Sequence, residues 1–355
     1  PLPDRLMGKG MLLKTLPITA VAFVFTSLAH GHHSDAGLDM ESPVTLEGAV
    51  TEFNWRNPHV YFGVETTDGT EWEVQMGSTI VLSRMGWTRE SLAVGDQVTV
   101  AVYAARNGRP YGLINGVEKE GGLALPGAFD SATAEPLLNV PAPTGSTSTL
   151  DGVWLSDVSK LVSYPGGLDG LFNALLNVTE KGRAAQAAYS EISEQNPGAS
   201  CIGFPTPTII ILTNLYPLQI QINEDEETVS IRSEFYDEER TVYMDGRTHP
   251  GVGERTHSGH SIGWWEGDTL VVDTTNFADH RSPYQIGLPS GAQKHVIERY
   301  TLTDDGARII VEFMLEDPEY ISVPMTHRRE LIYSPQMELS TFDCDPEATR
   351  RFLPQ

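Results

Sequence analysis

The sequence predicts a mainly β protein built as a small OB-like barrel followed by a larger antiparallel meander, closed as a barrel or stacked as a sandwich. Three observations carry this expectation. Short runs of β-branched and aromatic residues recur along most of the chain. Turn signals such as Asp68-Gly69, Asn107-Gly108, Asp245-Gly246 and Asp304-Asp305-Gly306 separate them. The 355 residues, with 33 Gly and 23 Pro, are turn-rich and exceed the size of one ordinary core, so two domains are expected.

In the first half, strands are expected at Val44–Val50, His59–Val64, Glu71–Met76 and Asp96–Val102, with a further run reaching about Glu118. A short helix from Ser78 to Met85 fits between the third and fourth strands, and Thr88 can cap a second turn to Leu92. Five strands with one inserted helix match the size and order of an OB barrel. Gly121 to Thr149, rich in Ala, Pro, Ser, Thr and Gly, reads as linker. Helices are expected at Leu168–Leu176 and at Thr179–Tyr189, the second capped by Thr179. Eight strand runs then follow from Pro217 to Tyr333, joined by hairpin turns. Gly152-Val153-Trp154 at the entrance is similar to the Gly-x-Trp start of lipocalin barrels. The expected divisions are residues 1–29, 30–120, 121–150 and 151–355.

Met11 to Ala29 has a basic start, an apolar stretch from Leu16 to Phe25 and small residues at Ser27 and Ala29, the pattern of a secretory signal. Cleavage after Ala29 or after Gly31 is compatible with it, and a periplasmic or secreted location follows. The apolar stretch is shorter than the roughly 20 residues of a spanning helix, so no transmembrane segment is expected in the mature chain. A net charge of −24 disfavours nucleic acid. Cys201 and Cys344 are the only cysteines, and an even pair in an oxidising compartment predicts a disulfide.

His32-His33-Ser34, Pro43 to Gly48, Trp55-Arg56-Asn57-Pro58-His59-Val60, Met76-Gly77-Ser78, Arg84 to Thr88 and Gly95 to Val100 together resemble a family of small secreted bacterial proteins of unknown function. That resemblance covers about residues 32 to 118 and implies a signal peptide, a His-His-Ser start and one OB-like barrel. From Gly152 onward, the Thr179 to Ala185 helix, Met244 to Pro250, Gly259 to Thr274 and His295 to Tyr300 resemble a second uncharacterised exported bacterial β domain. Neither resemblance brings an activity.

Histidines supply the candidate chemistry. His30, His32 and His33 would stand at the new N-terminus, where a free amine, amides and an imidazole suit Cu(II), and His59 is a candidate fourth ligand. The alternative is a plain polar terminus. His249, His257 and His260 fall within twelve residues, and His295 and Glu298 lie on a later strand, where they face opposite sides unless a bulge intervenes. His249, His260, His295 and Glu298 are the catalytic candidates: converging, they would hold zinc or supply acid and base. The alternative for these histidines is loop capping.

Trp154, Trp264, Trp265 and Tyr300 are the candidates for contact with an apolar ligand. No nucleophile elbow, HExxH, phosphate loop or dinucleotide fingerprint is present. The leading expectation is therefore an exported binding protein for a small apolar ligand, a metal ion or both. A zinc or copper enzyme built on the C-terminal histidines, and copper capture by the N-terminus, are the alternatives. Whether the chain is an enzyme, which ligand it takes and its oligomeric state stay open.

Overall fold

The computed structural model describes residues 38–39, 41–121, 123–126, 145–162, 164, 167–190, 193–251, 253–351 and 353. The N-terminal histidines His30, His32 and His33, and the segment Met11–Ala29 read as a signal, lie outside them.

The first barrel contains β1 (Val44–Asn54), β2 (Tyr61–Thr66), β3 (Glu71–Gln75), α1 (Thr79–Arg84), β4 (Gln97–Ala104), β5 (Tyr111–Lys119) and β6 (Leu123–Pro126). Antiparallel pairs β1–β2, β2–β3, β1–β4 and β4–β5, with the parallel pair β3–β5, close the ring. α1 sits between β3 and β4, so the OB order expected from the sequence is the order observed. Ser78 caps α1 by accepting from Val81 N at 3.3 Å. Within the stretch read as linker, Leu123–Pro126 pairs with β5 as an added strand.

The second half begins with β7 (Gly152–Ser156), α2 (Gly167–Leu175), β8 (Asn177–Val178), α3 (Glu180–Ala187) and α4 (Thr208–Ile211). Thr179 caps α3 as expected, accepting from Gly182 N at 3.0 Å. Then come β9 (Leu218–Asn223), β10 (Thr228–Ser233), β11 (Glu239–Tyr243), β12 (His260–Glu266), β13 (Thr269–Thr275), β14 (His295–Leu302), β15 (Arg308–Glu316), β16 (Ile321–Val323) and β17 (Met325–Tyr333).

Nine of these strands close a barrel in the order β10-β11-β12-β13-β14-β15-β17-β7-β9. It is not a plain meander. β11 and β12 run parallel, because the Met244–Gly259 loop carries the chain back before β12 begins, and β7 is inserted between β17 and β9. The short β8–β16 pair stands apart.

Strand alternation sends Val229, Ile231, Val242, Leu270, Val272, Val296, Val311 and Leu331 inward. The chain also fills its own barrel. Phe172 from α2, Ile209 and Ile210 from α4, and Tyr284, Ile286 and Leu288 from the β13–β14 loop pack against these strands in the same core, all at most 3% exposed.

The two barrels share a seam. Leu212, Tyr216 and Phe342 belong to the core of the first barrel. Asn57 is buried there, donating to Phe342 O and accepting from Thr79 N (2.8 Å) and Thr79 Oγ1 (3.0 Å). Arg84 binds Glu234 and donates to Leu215 O at 2.8 Å. The Cys201–Cys344 disulfide expected from the sequence is formed and ties the C-terminal segment to the plug region.

Removing the crosslink with Cys201→Ser plus Cys344→Ser should lower stability by about 2–5 kcal/mol, because its 143-residue separation restricts the unfolded chain strongly. Denaturant unfolding of the two proteins measures the difference. Superimposable curves would show that seam packing alone holds the tail.

Candidate functional site

Adjacent residues at one end of the second barrel are split between its two faces. On β13, Asp273 points out and Thr274 in; at the start of β14, His295 points out beside the buried Lys294; at the end of β15, Glu316 points out beside the buried Asp317. Register then joins the outward set. His295 pairs directly with Glu316, while Asp273 pairs with Ile262 and Ile297, a diagonal step from both His260 and His295.

The result is one continuous row of titratable side chains. His260 Nδ1 and His249 Nδ1 are 3.0 Å apart. His249 Nε2 lies 3.3 Å, and His295 Nε2 2.8 Å, from the same oxygen, Asp273 Oδ1. His295 Nδ1 is 3.2 Å from Glu316 Oε2. His249 arrives from the β11–β12 loop, and its partner His260 is stacked on Tyr243, over whose ring Arg247 lies at 3.8 Å. The side chains of His249, Asp273 and His295 keep 20–27% of their surface exposed, so the row is open to solvent.

Electrostatics differentiates the members. The hydrogen bond to Asp273, with the neighbouring Glu316, raises the His295 pKa. Burial, with the charges of His249 and Arg247, lowers that of His260. Burial works against ionisation of Asp273, yet hydrogen bonds and charge from His295 and His249 hold it below the ordinary carboxylate range. Among the described residues, no group of three or more His, Cys, Asp or Glu side chains is placed to hold a metal ion.

The sequence candidates are thus divided. His249, His260 and His295 come together around Asp273. Glu298 does not join them: it is 0% exposed inside the barrel, held by Arg240, Thr206 and Tyr300. Arg240 also donates to Ser261 Oγ (3.3 Å) and Thr274 Oγ1 (3.0 Å), which compensates the buried pair. His257 binds Glu238 at 2.7 Å instead of the row.

The four ligand-contact candidates are divided between core and surface. Trp154 is fully buried with its Nε1 donating to Leu150 O at 2.9 Å, and Tyr300 is buried in the Arg240 network. Trp264 and Trp265 are 41% and 46% exposed near the β12–β13 turn. His59 bonds Met76 O through Nδ1 at 3.1 Å, and burial lowers its pKa.

Sequence reasoning missed Asp273, Glu316, Arg240, Lys294 and Asp317 as members of these networks. The usable signals were alternation in Val271-Val272-Asp273 and the inward phase of Arg240 relative to Val242.

Residues 21–115 match a family of unknown function, DUF6152, a span that agrees with the N-terminal resemblance and contains no member of the His249–Glu316 row. Comparison with curated proteins found no match.

Outside the row, His280 is buried with a fixed neutral tautomer: Ser282 N donates to Nδ1 (3.1 Å) and Nε2 donates to Gly203 O (2.9 Å). Burial pushes its pKa down to about 3. Since the unfolded chain takes up this proton near pH 6.5 and the folded chain does not, its stabilising effect is complete above about 6.5 and is lost as pH falls. At about pH 5 the loss should be about 2 kcal/mol relative to pH 7. Chemical denaturation of wild type and His280→Gln at both pH values measures it; parallel pH dependences would contradict the assignment.

Proposed function

We infer that the protein is an exported metal-binding protein that takes one divalent transition-metal ion, zinc by donor type, on the outer rim of its C-terminal barrel. Export is supported by the signal-like segment and by a disulfide, which belongs to an oxidising compartment.

One observation carries the metal assignment: two imidazole Nε2 atoms from separate segments face one carboxylate oxygen at 2.8 and 3.3 Å. Neighbouring donors on an ion with bonds of about 2.1 Å stand roughly 3 Å apart, so these spacings fit adjacent corners of a coordination shell. The remaining ring nitrogens have the partners such a site requires. His295 Nδ1 can donate to Glu316, and His249 Nδ1 to His260, leaving both Nε2 lone pairs for a cation. The low pKa of His260 suits it to accept that hydrogen bond.

An apolar ligand has less support, because the barrel interior is occupied by residues of α2, α4 and the β13–β14 loop. A competing reading is favoured by the absence, among the described residues, of any group of three or more His, Cys, Asp or Glu placed to hold a metal ion: His295 stays protonated between two carboxylates and the row is an ion-paired network.

Calorimetric titration of Zn(II) into metal-stripped protein starting at Asp35, which removes the N-terminal histidines, separates the readings. One equivalent should bind, with affinity reduced by at least about tenfold in His249→Ala and in His295→Ala and roughly tenfold in Glu316→Gln. Equal affinities in all four proteins, each verified as folded by circular dichroism, would leave only the ion-paired network.

A further inference from the structure

A pocket of about 390 Å3 opens at the seam between the two barrels and shares no residue with the His249–Glu316 row. Three segments build it. Trp55 comes from the loop just past β1, Thr79, Ser83 and Arg84 from α1, and Ser340 and Thr341 from the C-terminal tail. The volume falls within the roughly 300–1,000 Å3 of small-molecule sites.

Two buried polar side chains tie the α1 wall to the tail wall. Asn57, 4% exposed, accepts at Oδ1 from Thr79 N (2.8 Å) and Thr79 Oγ1 (3.0 Å), and its Nδ2 donates to the carbonyl of Phe342, the residue after Thr341. Glu234, 0% exposed, accepts at Oε1 from Arg84 Nη2 (2.8 Å) and from Ser340 N (2.8 Å). The tail is fixed again just beyond the pocket, where Asp345 N donates to Asn57 O (3.0 Å) and Cys344 is crosslinked to Cys201. Both walls are therefore held in place by the fold itself, so a ligand that fits them has little ordering to impose. The Trp55-Arg56-Asn57-Pro58-His59 motif thereby gains a role: Trp55 lines the pocket and Asn57 joins its walls.

The lining selects a chemical class. Thr79 gives its hydroxyl proton to Asn57 and meets a ligand as an acceptor, whereas the hydroxyls of Ser83, Ser340 and Thr341 can donate or accept. The positive charge of Arg84 is matched by Glu234, and its Nη1 is engaged with Leu215 O (2.8 Å). No net local charge is left to attract an anion, and the −24 charge of the whole chain repels one. The half-buried Trp55 is backed by Phe53, with ring centroids 5.8 Å apart, and supplies a broad aromatic surface. An indole with hydroxyls around it complements a sugar ring, which has an apolar C–H face and a rim of hydroxyl groups. A purely apolar ligand would leave the four hydroxyls without partners.

We propose that the seam pocket binds a neutral saccharide, a short chain of hexopyranose units, with one ring stacked on Trp55 and its hydroxyls bonded to Thr79, Ser83, Ser340 and Thr341. This site is separate from the metal site on the barrel rim and does not depend on it.

Saturation-transfer NMR of the full-length protein with maltotetraose, cellotetraose and N-acetylchitotetraose, and with tetragalacturonate as the anionic control, tests this. At least one neutral sugar should receive saturation, concentrated on the ring C–H protons, and the anionic one should receive none. Calorimetric affinity for that sugar should fall by at least about tenfold in Trp55→Ala. Binding should be lost in Ser83→Trp, which fills the pocket from an exposed α1 position and keeps Trp55 and the seam hydrogen bonds, so it stays informative if Trp55→Ala does not fold. Absence of transfer to all three neutral sugars at millimolar concentration in the folded wild type, equal binding of tetragalacturonate, or wild-type affinity in either folded variant would overturn the proposal.

Discussion

The alternation of side chains across the β13–β14–β15 sheet is the constraint on which the polar row and the buried polar groups of the second barrel depend. A one-residue slip of any of these strands would carry Asp273, His295 or Glu316 into an apolar core and expose Thr274, Lys294 or Asp317. Such a slip is opposed by Leu270, Val272, Val296, Tyr300, Val311 and Leu315, all at 0% exposure on the inner face. Each fully buried aliphatic side chain contributes about 1.5–3 kcal/mol relative to exposure, far more than any single ion pair in the row. Hydrophobic register therefore places the polar chemistry, rather than the reverse.

Barrel closure sets the second condition. The interior is filled by residues of α2, α4 and the β13–β14 loop, and Thr206, just ahead of α4, hydrogen bonds to Glu298 within it. The Arg240–Glu298 pair is tolerable there because Ser261, Thr274, Tyr300 and Thr206 add hydrogen bonds to it. The same plugging segment runs on to Leu212 and Tyr216, which pack into the OB barrel, so the plug and the seam between barrels are one continuous structure. Asn57, Phe342 and the disulfide hold the returning tail against it. The OB barrel thereby packs against the segment that fills the larger barrel.

Much of this order was legible in the sequence. The strand runs, the helix between β3 and β4, the Thr179 cap and the cysteine pairing all follow from local periodicity, capping chemistry and parity. The insertion of β7 between β17 and β9 was not legible, because strand order in a closed barrel is decided by nonlocal pairing that leaves no mark on Gly152–Ser156 itself. The parallel β11–β12 pair was equally hidden in a loop of ordinary composition. For the site, alternation correctly separated His295 from Glu298, but it could not show that Asp273 would be shared by two histidines 24 and 22 positions away along the chain. Trp154 and Tyr300 were read as ligand contacts because aromatics serve cores and pockets alike. Their burial and hydrogen bonds place them in the core.

The central claim is that a cation links His249, Asp273 and His295 on the barrel rim. Anomalous diffraction from crystals of zinc-loaded protein, recorded on either side of the zinc absorption edge, tests it most directly. The account predicts a single strong peak within about 2.1 Å of His249 Nε2, His295 Nε2 and Asp273 Oδ1. A map with no peak at that rim, and the three side chains in direct hydrogen-bond contact at full zinc saturation, would contradict it.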